Sequence, residues 1–322
     1  RVLGLDVGVE RGEPAGTPGE EISNALNHPA GKLLDALFEI LWSKSDNALS
    51  SLDHRLTKRL ERNLTKPGGA GRAFLTIAAS NLAILHHADS TWTAEVLTPN
   101  FDWKTDETRA RTCWSGYLLH PHLNADLYAR LHDSFLDTFQ SADQLGDRKE
   151  ALSELLVSLA LDATDLLHPR DTRRAIRGMP ADLRVTAAWH LWKRLKSAQG
   201  TAAELARARV LPWLKTWPPD GDVWRNAKLA DEMTELALAC QGAVTEAISF
   251  IVEQPHLKLG RWPLSLHAQL EEHQDLFSSH APAIARLFDH VLPSREDNLR
   301  LGGQVWGAAE LQQLVDKLRE AG

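Results

Sequence analysis

The chain holds 322 residues, 43% hydrophobic and 25% charged, with acidic and basic residues interleaved and a formal net charge of −7. This is a globular composition with enough apolar material for a sizeable core, and its acidic balance weighs against a broad nucleic-acid surface, which needs a strongly basic domain. No signal peptide is visible, no apolar run reaches the ~20 residues of a membrane helix, and Cys113 and Cys240 are too few for a secreted disulfide framework, so the expected setting is the cytoplasm with both thiols buried and reduced.

Residues 1–19 read as a linker or connecting segment. Gly4 to Gly19 is rich in Gly and Pro, and the one strand-like alternation, Val2 to Val9, is interrupted by Gly4 and Gly8. A chain that starts at Arg1 is expected to be a piece of something longer, with any chemistry upstream. Thr17-Pro18-Gly19-Glu20 has the form of a capping box, with Thr at the cap and Pro at the first helical position.

Helical periodicity then runs to the end. Apolar residues at i, i+3, i+4 and i+7 recur at Leu34, Leu37, Phe38 and Leu41, and at Leu152, Leu155, Leu156 and Leu159. They recur again at Ala188, Leu191, Trp192 and Leu195, at Ile284, Leu287, Phe288 and Val291, and at Leu311, Leu314, Val315 and Leu318. Each stripe gives a helix one buried side. Thr105-Asp106-Glu107 places acids at a helix start, Asn124 is a candidate cap, and Thr201 with Glu204 repeats the capping box. Pro67-Gly68-Gly69, His120-Pro121, His168-Pro169, Gly178-Met179-Pro180, Trp217-Pro218-Pro219-Asp220-Gly221 and Gln254-Pro255 are the stops. About thirteen to sixteen helices with short connections are expected, giving an all-α, irregular antiparallel array resembling a HEAT-like α-solenoid with a degenerate repeat. The Trp217–Gly221 break is the best internal boundary, dividing a helical region 20–216 from a continuation 217–322 of the same array.

Two segments stand out as candidate binding sites. Asn27-His28-Pro29-Ala30-Gly31-Lys32 sets Asn27, His28 and Lys32 at a helix start, where free backbone N–H groups and a lysine can hold an anion. The structural alternative is that Asn27 or His28 caps a helix beginning at Pro29, with Gly31 admitting another backbone. Arg170, Arg173, Arg174 and Arg177 line one side of a helix and can grip phosphate or an acidic partner. The plainer reading is a solvated face paired with acids such as Asp162 and Asp165.

Other patterns read as structural. Adjacent His86 and His87 point about 100° apart on a helix, His120 and His122 lack a third ligand, and His267 and His273 do not share a face, so no metal or other cofactor is expected. Trp42, Trp114 and Trp192 sit on apolar stripes, and Trp213, Trp217 and Trp224 surround the proline-rich break as packing or as a partner patch. Glu271-Glu272 lies in a charged helix pattern. No phosphate loop, HExxH, paired CxxC or GxSxG is present, so no catalytic residue is nominated.

Ala25-Leu26-Asn27-His28-Pro29-Ala30-Gly31-Lys32-Leu33 is followed by Phe101-Asp102-Trp103 and then by Trp114-Ser115-Gly116-Tyr117-Leu118. Asp133-Ser134-Phe135-Leu136 comes next, and Val210-Leu211-Pro212-Trp213-Leu214-Lys215-Thr216-Trp217-Pro218 closes the series. In this order, over about Ile22 to Leu318, the chain resembles the large helical C-terminal region behind sirtuin-like domains in bacterial anti-phage defence proteins. That resemblance implies a sensor or assembly region, whose covalently linked or associated sirtuin-like effector hydrolyses NAD. The NAD-binding half is missing here, with no Rossmann glycine fingerprint and no parallel-strand pattern. The chain itself is therefore expected to be a non-catalytic protein-interaction module, binding a phage protein or further copies of itself, with no membrane and nucleic acid disfavoured. The alternative is an enzyme or nucleotide-binding helical domain that uses Asn27–Lys32 or the arginine cluster. A local basic groove for nucleic acid is a third option, with salt-sensitive binding as its signature.

Overall fold

The computed structural model describes residues 19–43, 52–254, 257–258, 274–291 and 316. Among them the regular structure is entirely helical, α with short 3-10 and π turns, and there is no strand. Several expectations lie outside the described residues: the linker 1–18 with Val2–Val9, Thr17 and Pro18 of the first box, Pro255, His267, His273, Glu271-Glu272 and the Leu311–Leu318 stripe. The side chains of Leu41 and Trp42 do too. The chain divides into two compact units, Arg1–Leu155 and Leu156–Gly322. The division falls inside the 20–216 stretch, and the Trp217–Gly221 break lies within the second unit.

The first unit comprises α1 (Glu21–Asn27), α2 (Pro29–Ser43), α3 (His54–Leu64), α4 (Gly68–Ser80), α5 (Leu82–Ala88) and α6 (Ser90–Trp92). A π turn over Thr93–Leu97 and a 3-10 turn over Thr98–Phe101 follow, then α7 (Glu107–Tyr117), α8 (Ala125–Thr138) and the start of α9 (Lys149–Asp162). The first helix starts later than the Thr17 box would place it, because Gly19 is left-handed at φ +95° and the helix begins only at Glu21. There it is Glu21, not Glu20, that folds back, its Oε2 accepting from the Gly19 N–H at 2.9 Å. Asn124 caps α8 through the Leu127 N–H at 2.8 Å, as its position in the sequence predicts, and Asp106, expected only as an acid at a helix start, is the cap of α7 through the Arg109 N–H at 3.0 Å.

α4 is the hub of this unit. Its residues Ala73 to Ala79 are all buried, and it packs against α1, α2, α3 and α7. The crossing with α7 is very close: a Cβ on Gly116 would sit 2.2 Å from the Thr76 carbonyl oxygen. Beside it Phe101, Trp114, Tyr117 and Phe135 form one aromatic cluster with centroid separations of 5.1–6.1 Å. The Trp114 indole donates to the Phe101 carbonyl at 3.1 Å, and Trp103 donates to the Thr138 hydroxyl at 2.8 Å. The Phe101–Trp103, Trp114–Leu118 and Asp133–Leu136 motifs therefore meet in one core. A nearly buried ion pair ties α7 to α1: Arg111 Nε lies 2.8 Å from Glu21 Oε1.

The second unit carries the end of α9, then α10 (Pro169–Gly178), α11 (Ala181–Ser197), α12 (Ala202–Leu205), α13 (Leu211–Leu214) and α14 (Gly221–Trp224). α15 (Ala227–Ala239), α16 (Val244–Val252) and α17 (Gln274–Val291) follow. α12 passes through a π turn, Ala206–Val210, into α13. α11 packs along α15, α15 on α16, and α16 on α17. The helical stripes are buried as their spacing requires, with Ala188, Leu191 and Leu195 inside and Ile284, Leu287, Phe288 and Val291 inside, while Trp192 is half-buried.

One turn recurs in this unit. α11 ends in Gln199-Gly200, with Gln199 left-handed at φ 45°, then a 3-10 turn and α12. α15 ends in Gln241-Gly242, with Gln241 at φ 50°, then a 3-10 turn and α16. The two Gln-Gly pairs are 42 residues apart, each with a Glu five residues after the Gln, Glu204 and Glu246. The Thr201–Glu204 capping box does not form. The left-handed Gln199 tightens the chain into a 3-10 turn, and the Thr201 hydroxyl turns back to donate to the Ala198 carbonyl at 2.8 Å.

The Trp217–Gly221 break is a packed loop. Trp213, Trp217 and Trp224 are buried and stack in series at 5.5 and 5.4 Å, with Phe250 next at 5.9 Å. Trp224 donates to the Pro218 carbonyl at 2.8 Å and Trp213 to the Thr172 hydroxyl at 3.2 Å. These indoles hold the loop to the helices. No single helix among the described residues is long and apolar enough to cross a membrane; the α15–α16 pair passes by length and composition only, bent by 112°.

Candidate functional site

The Asn27–Lys32 segment is a helix-to-helix corner. His28 is extended at φ −74°, ψ 137°, between α1 and α2. Its Nδ1 accepts from the Ala30 N–H at 3.1 Å, so the imidazole caps α2 at the end that Pro29 opens. Asn27 does not cap. Its side-chain amide turns back along α1 to donate to the Ser23 carbonyl at 2.9 Å. Gly31 admits α1, since a Cβ there would lie 1.9 Å from the Ala25 carbonyl oxygen. Lys32 is exposed one turn into α2. One N–H of this helix start is thus taken by His28.

The arginine cluster lies on α10, in the second unit. Asp171, Thr172, Ala175 and Ile176 form the buried face, and Arg170, Arg173 and Arg177 are exposed, with Arg174 half-buried. The acids that neutralise it are not the expected Asp162 and Asp165. Arg177 Nε pairs with Asp220 Oδ2 at 2.8 Å across the proline-rich loop, and Arg170 Nε lies 3.6 Å from Asp171. Asp162 pairs instead with Arg194 of α11. The spacing along α10 places the arginines correctly, but their partners come from loops that no local pattern encodes.

The histidine pair divides as helical geometry requires, His86 inward and His87 exposed. His86 Nε2 meets Asp126 Oδ2 of α8 at 2.8 Å, and its buried Nδ1 has no hydrogen-bond partner. Among the described residues no three His, Cys, Asp or Glu side chains are placed to share a metal ion. Both cysteines are buried and free; burial pushes the Cys113 thiol far up and the Cys240 thiol up to about 12.

Two features were not singled out from the sequence. Trp189 of α11 is 39% exposed with Lys193 Nζ 5.2 Å from its ring centroid, an i, i+4 cation–aromatic pair that the sequence does contain. Glu232 of α15 is partly buried beside Glu235 and Asp231, and desolvation first, then those two charges, lifts its carboxyl to about 7. No family model, no curated protein and no solved structure matches this chain.

Proposed function

We propose that the chain is a non-catalytic protein-interaction module built as a HEAT-like α-solenoid, the sensing or assembly region of an anti-phage defence protein acting in the cytoplasm. The observation that carries the reading is the 42-residue recurrence of helix, left-handed Gln, Gly, 3-10 turn and helix, with α11 packed along α15. Repeats of this kind grow by stacking one unit on the next and present extended surfaces to partners. The resemblance to the region behind sirtuin-like effectors supplies the biological setting. Its motif residues Phe101, Trp114, Phe135, Trp213 and Trp217 are buried packing residues, as a scaffold needs. Leu26, Ile40 and Ile84, exposed at 38%, 51% and 39%, are the large exposed apolar side chains of the first unit among the described residues, and Leu26 and Ile84 are taken as its contacts to a partner.

The test is an infection assay. Bacteria carrying the native reading frame are challenged with a phage panel, alongside a Leu26→Asp/Ile84→Asp variant matched for abundance. Protection by the native protein that is lost in the variant supports the reading. Protection by neither, or by both equally, counts against it. A nucleotide that raises stability by about 2.7 kcal/mol at a hundredfold excess over its Kd would replace it with the nucleotide-binding alternative.

A further inference from the structure

The chain is acidic as a whole, yet its charge is strongly uneven. Between Arg170 and Lys215 it holds eleven Lys and Arg against three Asp and Glu. Nine of those eleven cations are exposed, whereas Asp171, one of the three acids, is buried. Eight of the eleven are arginines, whose planar guanidinium matches phosphate oxygens two at a time.

The packing gathers several of these groups. Arg194 of α11 reaches Asp162, and Arg209 of the following π turn donates to the Thr164 hydroxyl at 2.8 Å, so two guanidiniums converge on one turn at the end of α9. Lys193 and Lys196 lie on the exposed side of the same α11 helix. Arg173, Lys196 and Lys215 are exposed and make no ion pair with another described residue. The pairs of Arg177 with Asp220, Arg194 with Asp162 and Arg207 with Glu246 are about half exposed on both sides, and Arg170 lies near the buried Asp171. Exposed pairs of this kind are weak and exchange readily for a competing anion. Within this basic stretch stands Trp189, the large exposed aromatic of α11, its ring flanked by Lys193 and edge-on to His190 at 4.9 Å.

We infer that the exposed side of α11 that carries Trp189, Lys193 and Lys196, within this basic stretch, binds single-stranded nucleic acid, the cations holding phosphates and Trp189 stacking on a base. A basic track with an exposed aromatic is the combination that sequence-tolerant single-strand binding uses. The inference goes beyond the protein-interaction reading and does not depend on it. It also departs from the expectation drawn from net charge, because the rest of the chain masks the local excess.

The experiment is fluorescence anisotropy on the full chain with labelled mixed-sequence single-stranded RNA and DNA, across a salt series, beside a labelled polyglutamate peptide. The expected result is oligonucleotide binding whose log K falls with log salt at a slope of about −3, for about four phosphates contacted. The triple variant Arg173→Glu/Lys196→Glu/Lys215→Glu weakens it at least about tenfold and flattens the slope. Trp189→Ala weakens it about tenfold at unchanged slope, and Trp189→Phe restores it. Unchanged melting temperatures show that these surface variants still fold. Absence of binding at low salt overturns the inference. Equal binding of polyglutamate with no effect of Trp189→Ala overturns it too, and marks an acidic protein as the ligand. The interaction reading is tested through Leu26 and Ile84 in the first unit, so either idea fails separately from the other.

Discussion

Gly116 shows how much a single atom decides. Its missing Cβ lets α7 approach the Thr76 carbonyl of α4, and Gly116→Ala forces that crossing apart. The expected cost is about 2 kcal/mol, in the range for overpacking a dense core, measured by urea denaturation. Glu232 makes a different demand. Its carboxyl holds a proton up to about 7 in the folded chain and releases it at the ordinary carboxylate pH when unfolded. Between those values the folded state binds the extra proton, so stability falls as pH rises towards 7 and levels off above it. Glu232→Gln removes that loss: equal stability to the parent at pH 4, and a gain of roughly 1 kcal/mol at pH 8 once solvent screening of this half-buried group is allowed for. A chevron or melting series at the two pH values reads the difference directly. Identical pH profiles for parent and variant would contradict the assignment. Cys113 and Cys240, buried with raised thiols, should resist a thiol reagent until the chain unfolds.

At the scale of elements, the apolar stripes and the stop signals were legible because helical period and Pro/Gly chemistry are local. Asn124 caps where its position predicts. The failures are equally instructive. Thr201 and Glu204 have the right letters for a box, yet the left-handed Gln199 upstream commits the chain to a 3-10 turn first. The recurring turn was illegible in the sequence because a glutamine takes the left-handed position, where glycine is usual. Gln199→Gly and Gln241→Gly relieve that backbone cost and should each stabilise the chain by about 0.5–1 kcal/mol, seen as a higher denaturation midpoint at constant m-value. The partners of the α10 arginines were illegible for another reason. Asp220 lies 43 residues beyond Arg177, and only tertiary packing brings them to one place. The ion pair of Glu21 with Arg111 is of the same kind. Both side chains are largely buried, so Arg111→Met leaves an uncompensated carboxylate and is expected to cost about 3 kcal/mol, whereas removing both charges together restores most of the loss.

Across the whole molecule, two compact helical units carry different surfaces. The first offers exposed apolar residues, Leu26 and Ile84, and the second an exposed basic stretch around Trp189. The net charge of −7 conceals that division. The most direct test of the central claim, that this chain works by presenting surfaces, is a saturation substitution scan scored by survival of phage challenge together with protein abundance. The account predicts that loss of protection at normal abundance is confined to exposed positions on helix faces, Leu26 and Ile84 among them. Loss of protection at normal abundance centred on a converging acid–base pair such as His86 and Asp126, with the exposed faces tolerant, would contradict it and make the chain an enzyme.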